Sequence, residues 1–271
     1  MSMKDQPTQQ RLTAQAITDL IAAAVPGISP DRPSDKFHAG KPESEVRGIV
    51  VTFMATRDVL SRALELGANF VITHEPTFFQ DGNIEQLVGD VVYESKAAFL
   101  QKNDLTVWRC HDLMHRARPD MILAGVVRQL GWTEYLQQPN RELFDLPPTT
   151  LQQLAMELRQ KLSIPHVRVT GNGLLPIRRV AISCGCSSWQ NQRRLLQEDG
   201  VDALICGEVR EWETCEYVRD SAATGRGQGL VVLGHCNSEE AGMAYFADWL
   251  RPKVGGIPVH FVPAGDPFWF A

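Results

Sequence analysis

An internal repeat limits the folds open to this chain more than any other feature. With the glycines aligned, the run Gly67-Ala-Asn-Phe-Val-Ile-Thr-His-Glu lies over Gly200-Val-Asp-Ala-Leu-Ile-Cys-Gly-Glu, so that Glu75 falls on Glu208. Each copy follows a helical pattern and an earlier apolar run, which makes a strand-helix-strand unit. Because such a unit can build its own sheet, the repeat predicts two similar α/β lobes.

The elements outside the repeat fit this division. Helices are predicted over 13–27, near 119–131 and over 148–162. The Pro-, Gly- and Lys-rich stretch 29–44 is predicted to be loop. We place the lobe boundary near residue 135, which gives a first lobe of 1–135 and a second lobe of 136–271.

Polar clusters follow four of the apolar strand segments. They are His74-Glu75-Pro76, His111-Asp-Leu-Met-His115, Gly207-Glu208 and His235-Cys-Asn-Ser-Glu239. Ligands of open α/β sheets bind beyond the carboxyl ends of the strands, so these side chains are expected to converge. Taken alone, any one of these histidines is equally well explained as a core or a surface residue. The combined set predicts metal ligands at His74, Glu75, His115, His235 and Glu239.

Imidazole and carboxylate ligands together suit zinc, iron, manganese or cobalt, and they do not form the thiolate-rich set of a closed structural zinc site. His235 and Glu239 are four residues apart, and Asn237 or Ser238 is predicted to cap a helix that runs on to Leu250. Glu239 then enters the first turn. It either bridges two ions or acts as a partner of the helix dipole.

The second cluster also offers catalytic and substrate-binding candidates. His111 is predicted to act as a general base or to hold substrate, with Glu208 approaching from the other lobe, and both are equally compatible with orienting the ligands. Arg109, Arg116 and Arg118 flank the cluster. Arg116 and Arg118 are predicted to bind an anionic substrate, near a helix start at Pro119-Asp120. The alternative for these arginines is a solvated surface.

Composition excludes several other classes. The chain has 271 residues and a net charge of −5, which signals no general attraction to nucleic acid. No run approaches the ~18 apolar residues of a membrane span, and Met1–Gln6 lacks a signal peptide's apolar core, so a cytoplasmic location is expected. The six cysteines are then reduced thiols. Cys184-Gly-Cys186 is either a thiolate metal site or a pair of ordinary strand-end thiols.

Three motifs together resemble the Nif-three-like family, also called the type 2 GTP cyclohydrolase I family. They are His74-Glu75-Pro76, His111-x-x-x-His115 and Gly234-His-x-x-Ser-Glu239, and the resemblance runs from about Ile17 to Ala271. It implies two α/β lobes related by pseudo-twofold symmetry, a dinuclear metal centre in the cleft between them, and a homohexamer.

The chain departs from the commoner family pattern at two positions. Glu75 stands where that pattern has a second histidine, and His115 stands where it has an aspartate. The two exchanges are complementary, since one replaces imidazole by carboxylate and the other does the reverse. If both positions ligate one ion, its ligand charge is unchanged, which favours a retained site with altered geometry.

The predicted centre indicates a reaction class. Two divalent ions, with zinc, iron or manganese expected, carry a formal +4, and Glu75 and Glu239 return only −2, so the centre attracts anions. We therefore expect metal-dependent hydrolysis of a small anionic or nucleotide-like substrate. The alternative is a metal-handling or regulatory binding protein without catalysis. No motif identifies a guanine pocket, and neither a membrane nor a nucleic acid is an expected partner.

Overall fold

The computed structural model describes residues 12–25, 32–80, 84–137, 142–269 and 271. The α-helices α1 to α9 of this part are Ala14–Ala23, Arg57–Glu65, Val91–Lys102, Asp112–Arg116, Met121–Leu130, Leu151–Leu162, Trp189–Gln197, Glu216–Ser221 and His235–Leu250. The strands β1 to β10 are Lys36–Ala39, Ile49–Thr52, Phe70–Thr73, Thr106–Arg109, Leu143–Thr150, Arg168–Thr170, Pro176–Ser183, Ala203–Cys206, Gly229–Val232 and Val259–Phe261.

The chain divides into two compact units. One comprises Met1–Met121 with Met243–Ala264, and the other comprises Ile122–Gly242 with Gly265–Ala271. Each unit contains one five-stranded sheet with helices packed against it. The predicted architecture of two α/β lobes is confirmed, and we call these units the first and the second lobe. The division at residue 135 stays a prediction.

The first lobe is built on a largely parallel sheet in the order β1-β4-β3-β2-β10. Strands β10, β2, β3 and β4 run parallel, and β1 pairs antiparallel with β4 at one edge. Val50, Val71 and Val107 stand side by side on neighbouring strands and are fully buried. Helix α2 covers them, and the hydroxyl of Thr56 caps it by accepting from the amide of Val59.

Strand β1 corrects the prediction that 29–44 is loop. Lys36–Ala39 pairs with β4, with Lys36 opposite Arg109 and Phe37 opposite Trp108. An edge strand has only one neighbour and stays partly exposed, so it does not need an apolar run. The polar residues of this strand therefore gave no strand pattern in the sequence. The predicted stop of the first helix, Pro26-Gly27, lies outside the described residues.

The second lobe has a sheet in the order β5-β7-β8-β9-β6, in which the three central strands are parallel and both edges are antiparallel. Its central strands are buried on both faces. Along β8, Ala203 and Ile205 pack with α6, whereas Leu204 and Cys206 pack with α7. A buried strand of this kind reads as a continuous apolar run.

The internal repeat corresponds to the units β2-α2-β3 and β7-α7-β8. Gly67 and Gly200 occupy the same turn in the two copies, and both have φ +71°. Glycine adopts this left-handed conformation without a steric penalty, so both turns depend on it. The next strands, β4 and β9, also hold matching places in their sheets. None of the helices in the described part of the chain combines the length and the apolar composition that a membrane crossing requires.

Candidate metal centre

The first lobe brings together three histidines from two strand ends. His74 follows β3, while His111 immediately precedes α4 and His115 lies on it, after β4. Because β3 and β4 are parallel neighbours, with Thr73 paired to Arg109, their carboxyl ends meet. The convergence expected from the sequence is thus present within this lobe.

The three imidazole rings form a compact group. The ring centroids of His74 and His111 are 4.7 Å apart, those of His74 and His115 are 5.1 Å apart, and those of His111 and His115 are 4.8 Å apart. One ring nitrogen from each residue lies within 4.8 Å of the others, close enough for a single ion to contact all three. His74 is completely buried, and the other two are partly exposed.

Each of these rings has an acceptor at Nδ1. The carbonyl oxygen of Cys110 lies 3.3 Å from Nδ1 of His74, and Asp112 Oδ1 lies 3.1 Å from Nδ1 of His111. Asp120 Oδ2 lies 3.0 Å from Nδ1 of His115.

A carbonyl or a carboxylate can only accept, so these contacts assign the proton of each neutral ring to Nδ1 and leave a lone pair at Nε2. Metal-ligating histidines commonly have this arrangement.

The protonation of His111 favours the same role. Its pKa is lowered to about 4, chiefly by burial and then by the neighbouring His74 and His115, while the hydrogen bond to Asp112 acts in the opposite direction. The ring is therefore neutral near pH 7, which is the form that binds metal ions. The sequence assigned His111 to proton transfer, to substrate binding or to orienting the ligands, and the structure places it in one cluster with His74 and His115.

Arg109 fixes the segment that carries His74 and Glu75. The side chain is only 3% exposed, its Nε donates to the carbonyl of His74 at 2.9 Å, and an Nη donates to Glu75 Oε2 at 3.2 Å. The expected solvated or anion-binding arginine is therefore a buried support. Two further contacts hold Thr77, which follows in the chain. Lys96 Nζ donates to the Thr77 carbonyl, and the Thr77 amide donates to His38 Nδ1.

The second lobe carries its cluster on a longer helix. Helix α9 begins at His235 itself, so the prediction of a cap at Asn237 or Ser238 is wrong. Asn237 Nδ2 instead donates to the carbonyl of Leu233 at 2.9 Å. The helix starts earlier than the capping residues suggested, and His235 and Glu239 are consequently one full turn apart on the same helix.

His235 lies between two carboxylates. Its Nδ1 is 3.0 Å from Glu208 Oε1, and its Nε2 is 3.2 Å from Glu239 Oε2. A neutral imidazole has one N–H and can donate to only one of them. Two atoms that bind one ion at about 2.1 Å, with an angle of about 90 to 109° between them, are roughly 3.0–3.4 Å apart. The separation of Nε2 and Oε2 fits a pair of ligands to a single cation.

Gly185 lies against the His235–Glu239 pair, and this contact explains the glycine of the Cys184-Gly-Cys186 motif. It has φ +65°, and a Cβ at this position would collide with the Glu239 carboxylate and lie 3.2 Å from Nε2 of His235. Its amide donates to the hydroxyl of Ser238 at 2.9 Å. Burial and the Glu208 carboxylate raise the pKa of the Cys186 thiol, so it stays protonated. The position needs a glycine, and the observations favour ordinary strand-end thiols.

A cavity of about 420 Å³ adjoins Glu208 in the second lobe. Its other lining residues are Cys186, Ser187, Ser188, Trp189, Gln190, Gln192, Val209, Arg210 and Glu213. Hydroxyl, amide, carboxylate and guanidinium groups surround one indole ring. The cavity can accommodate a small polar ligand next to the carboxylate that holds His235.

The two predicted substrate-binding arginines lie beside the first cluster. Arg118 Nη1 donates to the carbonyl oxygens of residues 115, 116 and 117 at 3.2, 3.0 and 2.8 Å, which satisfies the end of α4. Arg116 is half-exposed, 3.8 Å from Asp112 Oδ2. Helix α5 begins at Met121, directly after Asp120, whose carboxylate is already bonded to His115. Substrate binding by these arginines stays a prediction.

Sequence reasoning missed the groups that orient the ligands. Asp112 and Asp120 hold two of the imidazoles, and Asp35 contacts the backbone at His111. Proximity to a histidine in the chain was the available signal for the first two, and nothing in the local sequence pointed to Asp35. The imidazoles and the carboxylates together fit divalent ions of the borderline class.

Comparison with known proteins agrees with this architecture. The family model for Duf34/NIF3 (NGG1p interacting factor 3) matches residues 37–267. A GTP cyclohydrolase 1 type 2 homolog from Clostridium perfringens is 22% identical over 243 residues, covering 85% of this chain and 88% of that protein.

Two solved structures have the same fold. A Bacillus cereus protein related to NIF3 is 16% identical, with a TM-score of 0.78, 97% of this chain covered and 100% of that chain. A hypothetical protein from Staphylococcus aureus is 19% identical, with a TM-score of 0.76 and the same two coverages. At these identities the likeness concerns the fold alone. Because the family model spans most of the sequence, this chain belongs to the Duf34/NIF3 family.

Proposed function

We propose that this protein binds two divalent metal ions and hydrolyses a small anionic or nucleotide-like substrate. The proposed ligands are His74, Glu75 and His115 with His235 and Glu239, and we add His111 to them. One observation carries the proposal: each of the four histidines has a carbonyl or carboxylate acceptor at Nδ1, an arrangement common among metal-ligating histidines, and three of the four rings converge.

The charges of the first lobe support an anionic substrate. Glu75 is paired with the Arg109 guanidinium, so its charge is already balanced by the protein. The three imidazoles are neutral when they act as ligands. A divalent ion bound there would therefore keep most of its positive charge, and a phosphate or carboxylate group is the natural partner for it.

The roles of the protein's own groups follow from their contacts. Metal ions held by these ligands would supply Lewis acidity toward an anionic group of the substrate. Glu208 orients His235 and also faces the cavity, where its carboxylate is half-exposed and can accept a hydrogen bond or a proton from substrate. Arg116 is exposed beside Asp112, and its guanidinium is the group we expect to contact a substrate anion.

The proposal is tested by metal analysis of the purified protein followed by an activity screen. Zinc, iron and manganese are restored separately to chelator-treated protein, and turnover is measured on a panel of phosphate esters, nucleotides and amides. We expect turnover only with metal. His74→Ala and His235→Ala should each abolish it, whereas His166→Ala, which removes an exposed histidine outside the proposed ligand set, should leave it intact.

Two results would contradict the proposal in different ways. Turnover that survives removal of the metal would exclude a metal-dependent reaction. Metal binding at both clusters without turnover on any substrate would instead identify a metal-handling or regulatory protein. We further propose the homohexamer that the family resemblance implies, which light scattering of the purified protein tests directly.

A further inference from the structure

The turn that carries His111 is held by a carboxylate far away in the sequence. Asp35 Oδ1 accepts from the amides of His111 at 2.7 Å and Asp112 at 2.9 Å, and Oδ2 accepts from the amide of Leu113 at 3.1 Å. The Asp35 side chain is only 2% exposed, and Arg32 lies 3.4 Å from it. Burial of a carboxylate is costly, and these three amide donors together with Arg32 stabilise it there.

Helix α4 needs this support. It has five residues, and a helix this short is not stable by itself in water. The side chain of its N-cap residue, His111, makes no capping hydrogen bond. The first amides of a helix lack partners within the helix and require an acceptor from elsewhere. Asp35 supplies that acceptor across 76 residues of sequence.

The same segment makes a second contact with the turn. The amide of Ser34 donates to Asp112 Oδ2 at 3.3 Å, and Asp112 Oδ1 is the acceptor for Nδ1 of His111. Residues 34 and 35 therefore fix both the backbone of the turn and the carboxylate that orients the His111 ring. Strand β1 begins at Lys36 and anchors them by pairing with β4.

We propose that Asp35 is a positioning residue for the metal ligands of the first lobe. By holding the amides of residues 111–113, its carboxylate sets the separation and orientation of His111 and His115, and through them the affinity and coordination geometry of the bound ion. The inference rests on the proposed function insofar as it concerns metal. The capping contact itself is independent of any ion.

The test compares Asp35→Ala and the milder Asp35→Asn with Asp90→Ala. Asp90 is a matched control, because it caps α3 in the same lobe by accepting from the amides of Val92 and Tyr93, but it is exposed and outside the cluster. Zinc affinity is measured by competition with a chromophoric chelator, and the absorption spectrum of bound cobalt reports the coordination geometry.

We expect Asp35→Ala to weaken zinc binding by roughly 10- to 100-fold, the range usual for groups that orient ligands, and to change the cobalt spectrum. Asp35→Asn, which keeps one acceptor oxygen, should show a smaller loss. Asp90→Ala should alter neither. Unchanged affinity and spectrum in a folded Asp35→Asn or Asp35→Ala protein would overturn the inference, as would an equal loss in Asp90→Ala.

A metal-free measurement separates this inference from the proposed function. In chelator-treated protein, hydrogen exchange of the His111 and Leu113 amides should accelerate in Asp35→Asn, and the ring resonances of His111 and His115 should shift. If the wild-type protein binds no metal, the proposed function fails while these changes still support the positioning role. If amides and rings are unaffected, the positioning role fails even when the wild-type protein binds metal.

Discussion

The two lobes place histidines after matching strands but surround them with different charges. In the first lobe, three imidazoles face one another, and their acceptors lie behind the rings at Nδ1. In the second lobe, a single imidazole has a carboxylate at each ring nitrogen, Glu208 on one side and Glu239 on the other. The same topology thus produces a cluster of three imidazoles in one lobe and a single imidazole between two carboxylates in the other.

This difference indicates how the work of a metal-dependent enzyme can be divided. Carboxylate ligands neutralise an ion and hold it firmly, whereas imidazoles leave its charge available to substrate. Under the proposed function, we therefore expect the substrate anion to bind at the first lobe. The second lobe is the place where a carboxylate, Glu208, adjoins a cavity. The following experiments test this contrast.

The largest effect is expected from removal of an imidazole in the first lobe. His115→Ala takes away one of three converging ligands, so zinc affinity there should fall by more than the roughly 10- to 100-fold typical of an orienting group. Competition with a chromophoric chelator measures it. His166→Ala serves as the control, and equal affinity of the two variants would remove the three-histidine cluster from the ligand set.

The side chains that hold the segments after β3 and β8 should differ in their response to pH. In the first lobe a buried lysine, Lys96, donates to the carbonyl of Thr77, whereas in the second lobe a neutral amide, Gln192, donates to the carbonyl of Glu208 at 2.8 Å. Burial lowers the pKa of Lys96 to about 8, and the nearby Arg57 contributes.

Between pH 8 and about 10.5 the unfolded chain holds the Lys96 proton more tightly than the folded one, so the free energy of unfolding should rise with pH, by about 3 kcal/mol at most. Urea unfolding of metal-free protein at pH 7.5 and 10.5 measures this. The rise should be absent from Lys96→Met and retained in Gln192→Met. A wild-type profile that coincides with that of Lys96→Met would refute the assignment.

A glycine pair separates backbone strain from crowding at the second cluster. Gly185→Ala and Gly67→Ala both force alanine into a left-handed conformation, which costs about 1–2 kcal/mol. Only at Gly185 does the new methyl group meet Glu239, since no atom lies within 4 Å of a Cβ at Gly67. We expect a loss of stability on urea unfolding in both variants, larger in Gly185→Ala, and a loss of zinc affinity in Gly185→Ala alone. Equal affinities would show that Glu239 moves aside without consequence.

The smallest effects concern the carboxylates behind the rings. Asp120→Asn and Glu208→Gln keep an acceptor for Nδ1 but remove the charge, so each should lower zinc affinity by about 10-fold or less. The decrease should be smaller for Glu208, whose side chain is 49% exposed against 28% for Asp120. Asp58→Asn, on the exposed start of α2, is the control. A larger decrease for Glu208→Gln than for Asp120→Asn would contradict the view that solvent screens the charge of Glu208 more than that of Asp120.

The parts of the molecule that could be predicted are those encoded by nearby residues. The repeat, the turns at Gly67 and Gly200 and the polar strand ends all depend on local pattern, and the two-lobe fold follows from them. Strand β1 was missed because an edge strand needs no apolar run. The start of α9 at His235 was missed because Asn237 and Ser238 resemble capping residues.

The orienting contacts could not be predicted for a different reason. Asp35 meets His111 across 76 positions, and Arg109 meets Glu75 across 34. A single sequence contains no signal for a pairing of that length, since each residue alone has the composition of an ordinary loop or surface. Such contacts become visible only when the sheet has brought the chain segments together.

The exposed thiol beside Glu208 gives the protein an intrinsic labelling site. Among the six cysteines, Cys186 is the exposed one, while Cys110, Cys206 and Cys236 are buried and the remaining two are half-buried. A maleimide fluorophore should therefore react first at this position, on the wall of the cavity, at a pH alkaline enough to offset the raised pKa of the Cys186 thiol. Its emission would respond to whatever enters there, so binding of unknown ligands can be screened by fluorescence before any reaction has been found.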